Sequence, residues 1–245
     1  MLNNIQTFDI NSDDYAKFRP KYPRGFYDFL IQQLFSRDKM WDCACGNGQV
    51  AIDMVEYFNQ IYATDISENQ IINAFNHPKI NYAVMQAEKT DFPDNFFDLI
   101  CVGQALHWFD IKTFFKEADR VLKKGGVLAV FGYGFFYVDN EIDNLLQKNL
   151  YLKVKDYWSE RNQLVINKFK GISFPFTKIE SPVFEINLAW NLSDMISYIR
   201  TWSAVKIYNS QNKIKLENQL YNILKNVWKD IINVKMELFS FIRKK

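Results

Sequence analysis

The stretch Asp42-Cys43-Ala44-Cys45-Gly46-Asn47-Gly48-Gln49 closes one kind of pattern and opens another. Before it, residues 40–44 form a short apolar run of strand character. After it, residues 49–58 place Val50, Ala51, Met54, Val55 and Phe58 on one helical face. A strand, a tight glycine bend and a helix in that order bring backbone close to a ligand. Glycine takes positive φ without penalty, and the helix start offers N–H groups. Read alone, Gly46-Asn47-Gly48-Gln49-Val50-Ala51 also fits the dinucleotide pattern G-x-G-x-x-A, which is short enough to arise by chance.

Working outward, the chain alternates. Residues 24–35 predict a helix opened by Pro23 and burying Phe26, Phe29, Leu30 and Leu34. Strands are expected at 60–64, 81–85, 97–102 and 127–132. Ser67, followed three residues later by Gln70, marks a helix start. A further helix at 111–122 runs into Lys123-Lys124-Gly125-Gly126, which reads as its C-terminus. Strands alternating with helices imply an α/β fold, a doubly wound and mostly parallel sheet that binds ligands beyond the carboxyl ends of its strands. Residues 134–180 read as helices and loops of a cap, 184–190 as a strand, and 192–208 and 213–231 as helices. The strict alternation at 234–238 predicts an antiparallel edge strand, the seventh of the sheet.

Composition narrows the function classes. In 245 residues, 30 basic and 28 acidic side chains leave a net charge of +2, and no basic stripe suits a phosphate backbone, so no nucleic-acid partner is expected. The terminal Arg243-Lys244-Lys245 reads as a solvated tail. Cys43, Cys45 and Cys101 make neither a disulfide framework nor a zinc shell, so no metal is expected. No run reaches the ~18 apolar residues of a membrane span, and the start lacks the regions of a signal peptide. A cytoplasmic protein is expected, as a monomer or weak homodimer. The aromatic share of 17% is high and supplies a surplus for an apolar pocket.

Two acids sharpen the glycine motif. Asp65 closes the second strand, 19 residues after Gly46, where a carboxylate can accept from ribose hydroxyls of either NAD or another nucleoside. Asp42 lies inside an otherwise apolar central strand, where an unpaired carboxylate is costly. A pyrophosphate gives no reason for an anion there, whereas a ligand carrying an ammonium and a sulfonium does. A capped turn carboxylate is the alternative reading.

With Asp42-x-Ala44-x-Gly46-x-Gly48, Asp65, Ala87-Glu88, Gln104-Ala105-Leu106-His107-Trp108-Phe109, Lys123–Gly126 and Thr201-Trp202-Ser203-Ala204 in place, the chain resembles the class I S-adenosylmethionine-dependent methyltransferases. It is most similar to their small-molecule branch, which includes trans-aconitate methyltransferase. The resemblance implies a single Rossmann-like domain over residues 1–245. It comprises a lid segment and helix at 1–35, a cofactor-binding core at 36–133, and cap helices with sheet-completing strands at 134–245. It also implies S-adenosylmethionine as cofactor and a small-molecule acceptor. Gly46 and Gly48 then pass under the methionine part, Asp42 orients its amino group, Asp65 holds the ribose and Ile66 packs on the adenine. Ala87 and Glu88 flank the adenine edge, Gln104 borders the methionine side, and Arg19 with Tyr15 meets the methionine carboxylate, unless Arg19 forms a surface salt bridge. Ala44 departs from the family's usual glycine, and binding is expected to survive if φ stays negative there.

His107, at the exit of the fourth strand, reads as a base or a substrate contact, with packing as the alternative. Trp108, Tyr133 and Trp202 are candidate walls of the acceptor pocket, and Trp202 serves equally as core. Arg200 is a candidate for an acceptor carboxylate, against a solvent-facing role. O-methylation of a carboxylic acid is the expected chemistry. The rival functions are an NAD-dependent oxidoreductase and a methyltransferase acting on a macromolecule.

Overall fold

The computed structural model describes residues 20–245. Its elements begin with α1 (Arg24–Gln32), followed by β1 (Lys39–Cys43), α2 (Gln49–Met54), β2 (Gln60–Asp65), α3 (Glu68–Ile72), β3 (Ile80–Val84) and β4 (Phe97–Gly103). A 3-10 turn, Leu106–Trp108, leads into α4 (Ile111–Val121) and the long β5 (Leu122–Tyr137). The cap follows with α5 (Asn140–Leu146), which continues through a π turn at Gln147–Tyr151, and α6 (Glu160–Ile166). After β6 (Thr177–Ile179) and β7 (Phe184–Trp190) come α7 (Leu192–Arg200), α8 (Ser203–Asn212), α9 (Leu216–Leu224) and β8 (Ile232–Lys244).

The sheet runs β3-β2-β1-β4-β5-β8-β6, with β7 also paired to β8. Strands β1 to β5 pair in parallel, and β8 pairs antiparallel to β5, β6 and β7. Among the described residues the sheet therefore has eight strands rather than seven. The extra one arises because β8 is long enough to pair with β6 at Ile242–Lys244 and with β7 at Ile232–Leu238. The closing strand is antiparallel, as its alternation predicts, but lies one place in from the edge that β6 and β7 share.

Burial explains the strand order. From Phe97 to Val102 every residue of β4 is buried, as a central parallel strand covered on both faces requires. In β1, Met40 joins the core on one face, with Phe26 and Leu30 of α1, while Trp41 joins the other, with Phe97 and Phe114. Lys123-Lys124-Gly125-Gly126 does not cap α4. All four residues lie within β5, which pairs with β4 from Leu122 opposite Phe97, and the Lys123 ammonium reaches the buried Asp98 carboxylate at 2.8 Å. The helical reading over 192–208 breaks at Thr201-Trp202 into α7 and α8.

Candidate functional site

The glycine bend forms as its sequence demands. Gly46 and Gly48 have φ of +55° and +84°. At Gly48 an added Cβ would stand 2.2 Å from the Tyr82 hydroxyl oxygen, so glycine is required there by both backbone and space. Ala44 has φ +56°, so the condition of a negative φ, on which undisturbed binding was expected, is not met. An alanine in this region costs roughly 1–2 kcal/mol, which accounts physically for a preference for glycine.

The two acids meet the bend from both sides. Asp65, at the end of β2, accepts the Gly46 N–H at 2.8 Å through one oxygen and the Ser67 N–H at 2.9 Å through the other. This carboxylate fixes the bend with part of its acceptor capacity. Burial raises its pKa, and the Ser67, Gly46 and Ile66 N–H groups oppose that rise. Asp42 is 1% exposed and accepts the Ala51 N–H of α2 at 3.0 Å. Burial pushes its carboxyl up to about 7, the Ala51 N–H pulls it back, and the Asp65 charge adds to the rise.

A cavity of about 240 Å³ opens at these strand ends, and Asp42, Ala44, Gly46, Asp65, Ile66, Ala87, Glu88 and Gln104 all line it. Gly48 does not. It sits behind the bend against Tyr82 and shapes the loop from there. Tyr15 and Arg19 lie outside the described residues. Ile66 is 49% exposed. Glu88 accepts the Asp110 N–H at 2.8 Å through Oε1. Gln104, at φ +55°, pairs both ends of its amide with Tyr133: Nε2 donates to the Tyr133 carbonyl at 3.1 Å, and Oε1 accepts the Tyr133 N–H at 3.0 Å. It thus braces the tips of β4 and β5.

A second cavity of about 270 Å³ lies under the cap. His107, Trp108, Tyr133 and Trp202 line it, and Gln70, Gln104, Trp108 and Tyr133 belong to both cavities. The two therefore meet at a neck. His107 is 5% exposed, with its ring centroid 4.7 Å from that of Trp108. The Trp108 carbonyl accepts a hydrogen bond from Arg161 of α6, which ties the cap to the neck. Arg200 is not brought into this cavity. Its side chain is 58% exposed and lies 3.9 Å from Glu217, because it is the last residue of α7 and projects away from the buried face formed by Met195, Ile196 and Ile199.

Sequence reasoning missed Tyr22, Met85 and Phe109 in the first cavity and Phe135, Trp158, Lys168 and Lys206 in the second. Of these, Phe109 stood within the quoted strand exit. The others carry no short motif, because tertiary packing brings them together from separate strands, turns and helices.

The orphan-prone carboxylate of Asp42 in a cavity wall fits a cationic ligand, and the remaining acceptor capacity of Asp65 fits hydroxyl donors. Among the described residues no group of His, Cys, Asp and Glu suits a metal ion. No helix among them is long and apolar enough to cross a membrane. Residues 41–130 match the family model described as a methyltransferase domain. A solved structure from Anaeromyxobacter dehalogenans, assigned as a type II methyltransferase, is 31% identical, with 92% of this chain and 97% of that one covered and a TM-score of 0.86. A Dictyostelium discoideum protein named as a methyltransferase is 28% identical over 97% of this chain and 94% of its own length. A Haemonchus contortus phosphoethanolamine N-methyltransferase, solved with S-adenosylhomocysteine, shares the fold at 16% identity. It covers all of this chain and 61% of its own, at a TM-score of 0.51. The dinucleotide reading of the glycine bend therefore gives way, and the chain belongs to the class I S-adenosylmethionine-dependent methyltransferases.

Proposed function

We propose that the protein transfers the methyl group of S-adenosylmethionine to a small molecule held in the second cavity, with O-methylation of a carboxylic acid as the favoured reaction. The observation that carries this reading is the neck: Gln70, Gln104, Trp108 and Tyr133 line both cavities. A methyl donor in one and an acceptor in the other can face each other only there. The likeness to the branch that includes trans-aconitate methyltransferase supports an acidic acceptor.

When bound, the cofactor supplies an electrophilic methyl group on a good leaving group, so the chain's task is mainly to position and to exclude water. Asp42 pairs with the amino group, and Asp65 uses its remaining lone pairs for the ribose. Ile66 and Ala87 pack on the adenine, with Glu88 at its edge. Gln104 acts through Tyr133, holding the neck open at a fixed width. His107 touches the acceptor. It takes a proton where the acceptor is a hydroxyl, and none where it is already a carboxylate.

The test has two stages. Calorimetry with S-adenosylhomocysteine is expected to show one site per chain. Tritiated-methyl transfer to a panel of small acids is then expected to yield esters. No heat with the thioether, or label moving only to protein or nucleic acid, overturns the reading.

A further inference from the structure

Two glutamines line the neck between the cavities. Gln104 uses both ends of its amide on the Tyr133 backbone. Gln70 is differently placed. Its context, Ser67-x-x-Gln70, is that of a capping box, in which the glutamine side chain returns to the serine N–H. Only half of the box forms: the Ser67 hydroxyl oxygen accepts the Gln70 N–H at 3.3 Å, but Asp65 takes the Ser67 N–H at 2.9 Å. The Gln70 amide is thereby released, and among the described residues no hydrogen bond engages it. The residue is nonetheless only 7% exposed and lines both cavities. A carboxamide withdrawn from solvent without a partner is costly and rare. Its oxygen lies against the glycine bend, 3.7 Å from where a Cβ on Gly46 would stand. The other end carries two N–H donors.

From this we infer that Gln70 binds the acceptor: its amide N–H groups hold an oxygen of a flat apolar acid at the neck, while the body of that acid lies on a wall formed by Phe135, Trp158 and Trp202. The inference rests on the methyl-transfer reading. In that reading Asp42 and Asp65 meet the amino and ribose groups of the cofactor, and an ionised carboxylate can only accept. An acceptor oxygen needs a donor, which Gln70 supplies without a net charge. The wall is continuous, with ring centroids 5.5 to 6.1 Å apart and planes inclined by 41° to 51°, so it offers faces and edges to a flat body. With a carboxylate, one oxygen takes the Gln70 N–H and the other faces the methyl group. That second oxygen forms the bond to the methyl carbon, the carbon–sulfur bond breaks, and its electron pair stays on sulfur, leaving an ester and a neutral thioether.

Gln70→Met keeps the length of the side chain and removes its hydrogen bonding. Naphthalene-2-carboxylate and naphthalene share one body and differ in the oxygen group. Each is measured by equilibrium dialysis against the full chain with S-adenosylhomocysteine present, and the parent chain is expected to bind both. Gln70→Met is expected to weaken the acid about tenfold, with naphthalene and the thioether within twofold of the parent. Because the amide has no partner to lose, the urea midpoint of the ligand-free variant is expected to hold or rise. A fall makes Gln70 a structural residue and overturns the inference. So does an acid affinity that survives the substitution, a parallel loss of acid and naphthalene, or a loss of thioether affinity as large as that of the acid. Failure of the parent to bind either probe overturns it as well. Thioether binding to the parent is scored first: its absence defeats the methyl-transfer reading, whereas any other failure with the thioether bound defeats the part given to Gln70 alone.

Discussion

The two cavities are built by opposite strategies. The first takes most of its walls from consecutive tips of β1, β2 and β4 and the loop after β3, so its residues cluster within Asp42–Asn47, Asp65–Ile66, Met85–Glu88 and Gly103–Ala105. Polar side chains line much of it, among them the carboxylates of Asp42, Asp65 and Glu88. The second draws its walls from the 3-10 turn, the end of β5, α6, the α7–α8 junction and α8. It is aromatic, and its ionic groups are cations. A parallel sheet positions strand ends rigidly, so a site made from them serves a cofactor of fixed shape. A site made from cap helices changes with every helix shift, which suits an acceptor that differs between relatives.

The largest effect expected to separate the two is the pH dependence of Asp42. Its folded pKa, about 7, lies above the ordinary carboxylate value, so between pH 4 and 7 the folded state holds a proton that the unfolded chain has released. The contribution of Asp42 to the stability of the ligand-free protein is therefore full below pH 4 and falls as pH rises to 7, by up to about 1.4 kcal/mol per pH unit. Urea unfolding across that range should show the slope, and Asp42→Asn should remove most of it, leaving the smaller part due to Asp65. Affinity for S-adenosylmethionine should rise over the same window and level off above pH 7, and Asp42→Asn should weaken it by about 1.5–3 kcal/mol through loss of a charge-assisted pairing. A pH-independent affinity breaks the assignment of Asp42 to the amino group.

Next in size is Gly48→Ala. Positive φ costs about 1–2 kcal/mol. Displacing the Tyr82 hydroxyl from the Phe75 carbonyl, 2.9 Å away, costs about 1 kcal/mol more. Stability should fall by the sum, and by less in a Tyr82→Leu background, where the new methyl group has room. On the acceptor side, Trp158→Ala should weaken naphthalene-2-carboxylate by about tenfold, or 1.4 kcal/mol, with thioether affinity within twofold of the parent. A matching loss of thioether binding would show that the cavities are not separable. The smallest effect is a gain: Ala44→Gly should stabilise the fold by about 0.5–1 kcal/mol, since relief at φ +56° is partly offset by glycine's entropy in the unfolded chain. Destabilisation there would mean that the alanine methyl group packs usefully.

Legibility follows the same division. Asp42, Gly46 and Asp65 were readable because they lie at or just past strand ends, which a change of hydrophobic period marks, whereas Ile66 and Ala87 came only from the family resemblance. Lys168 and Lys206 were not readable, since a lysine, whether in a turn or on a helix, looks the same when it faces solvent and when it faces a cavity. Arg200 shows the converse. Its proximity to Trp202 in sequence suggested a shared pocket, yet the chain breaks between α7 and α8 and sends the two side chains different ways.

By itself, the sequence determined the alternating α/β order, the parallel core and the ligand end of the sheet. Those depend on local patterning, where period, glycine and buried charge act within a few residues. Only the tertiary structure decided the split edge against β8, the positive φ of Ala44, the neck braced by Gln104 and Tyr133, and which cations line the second cavity. Each of these depends on packing between segments far apart in the chain, and no local pattern encodes the distance between them.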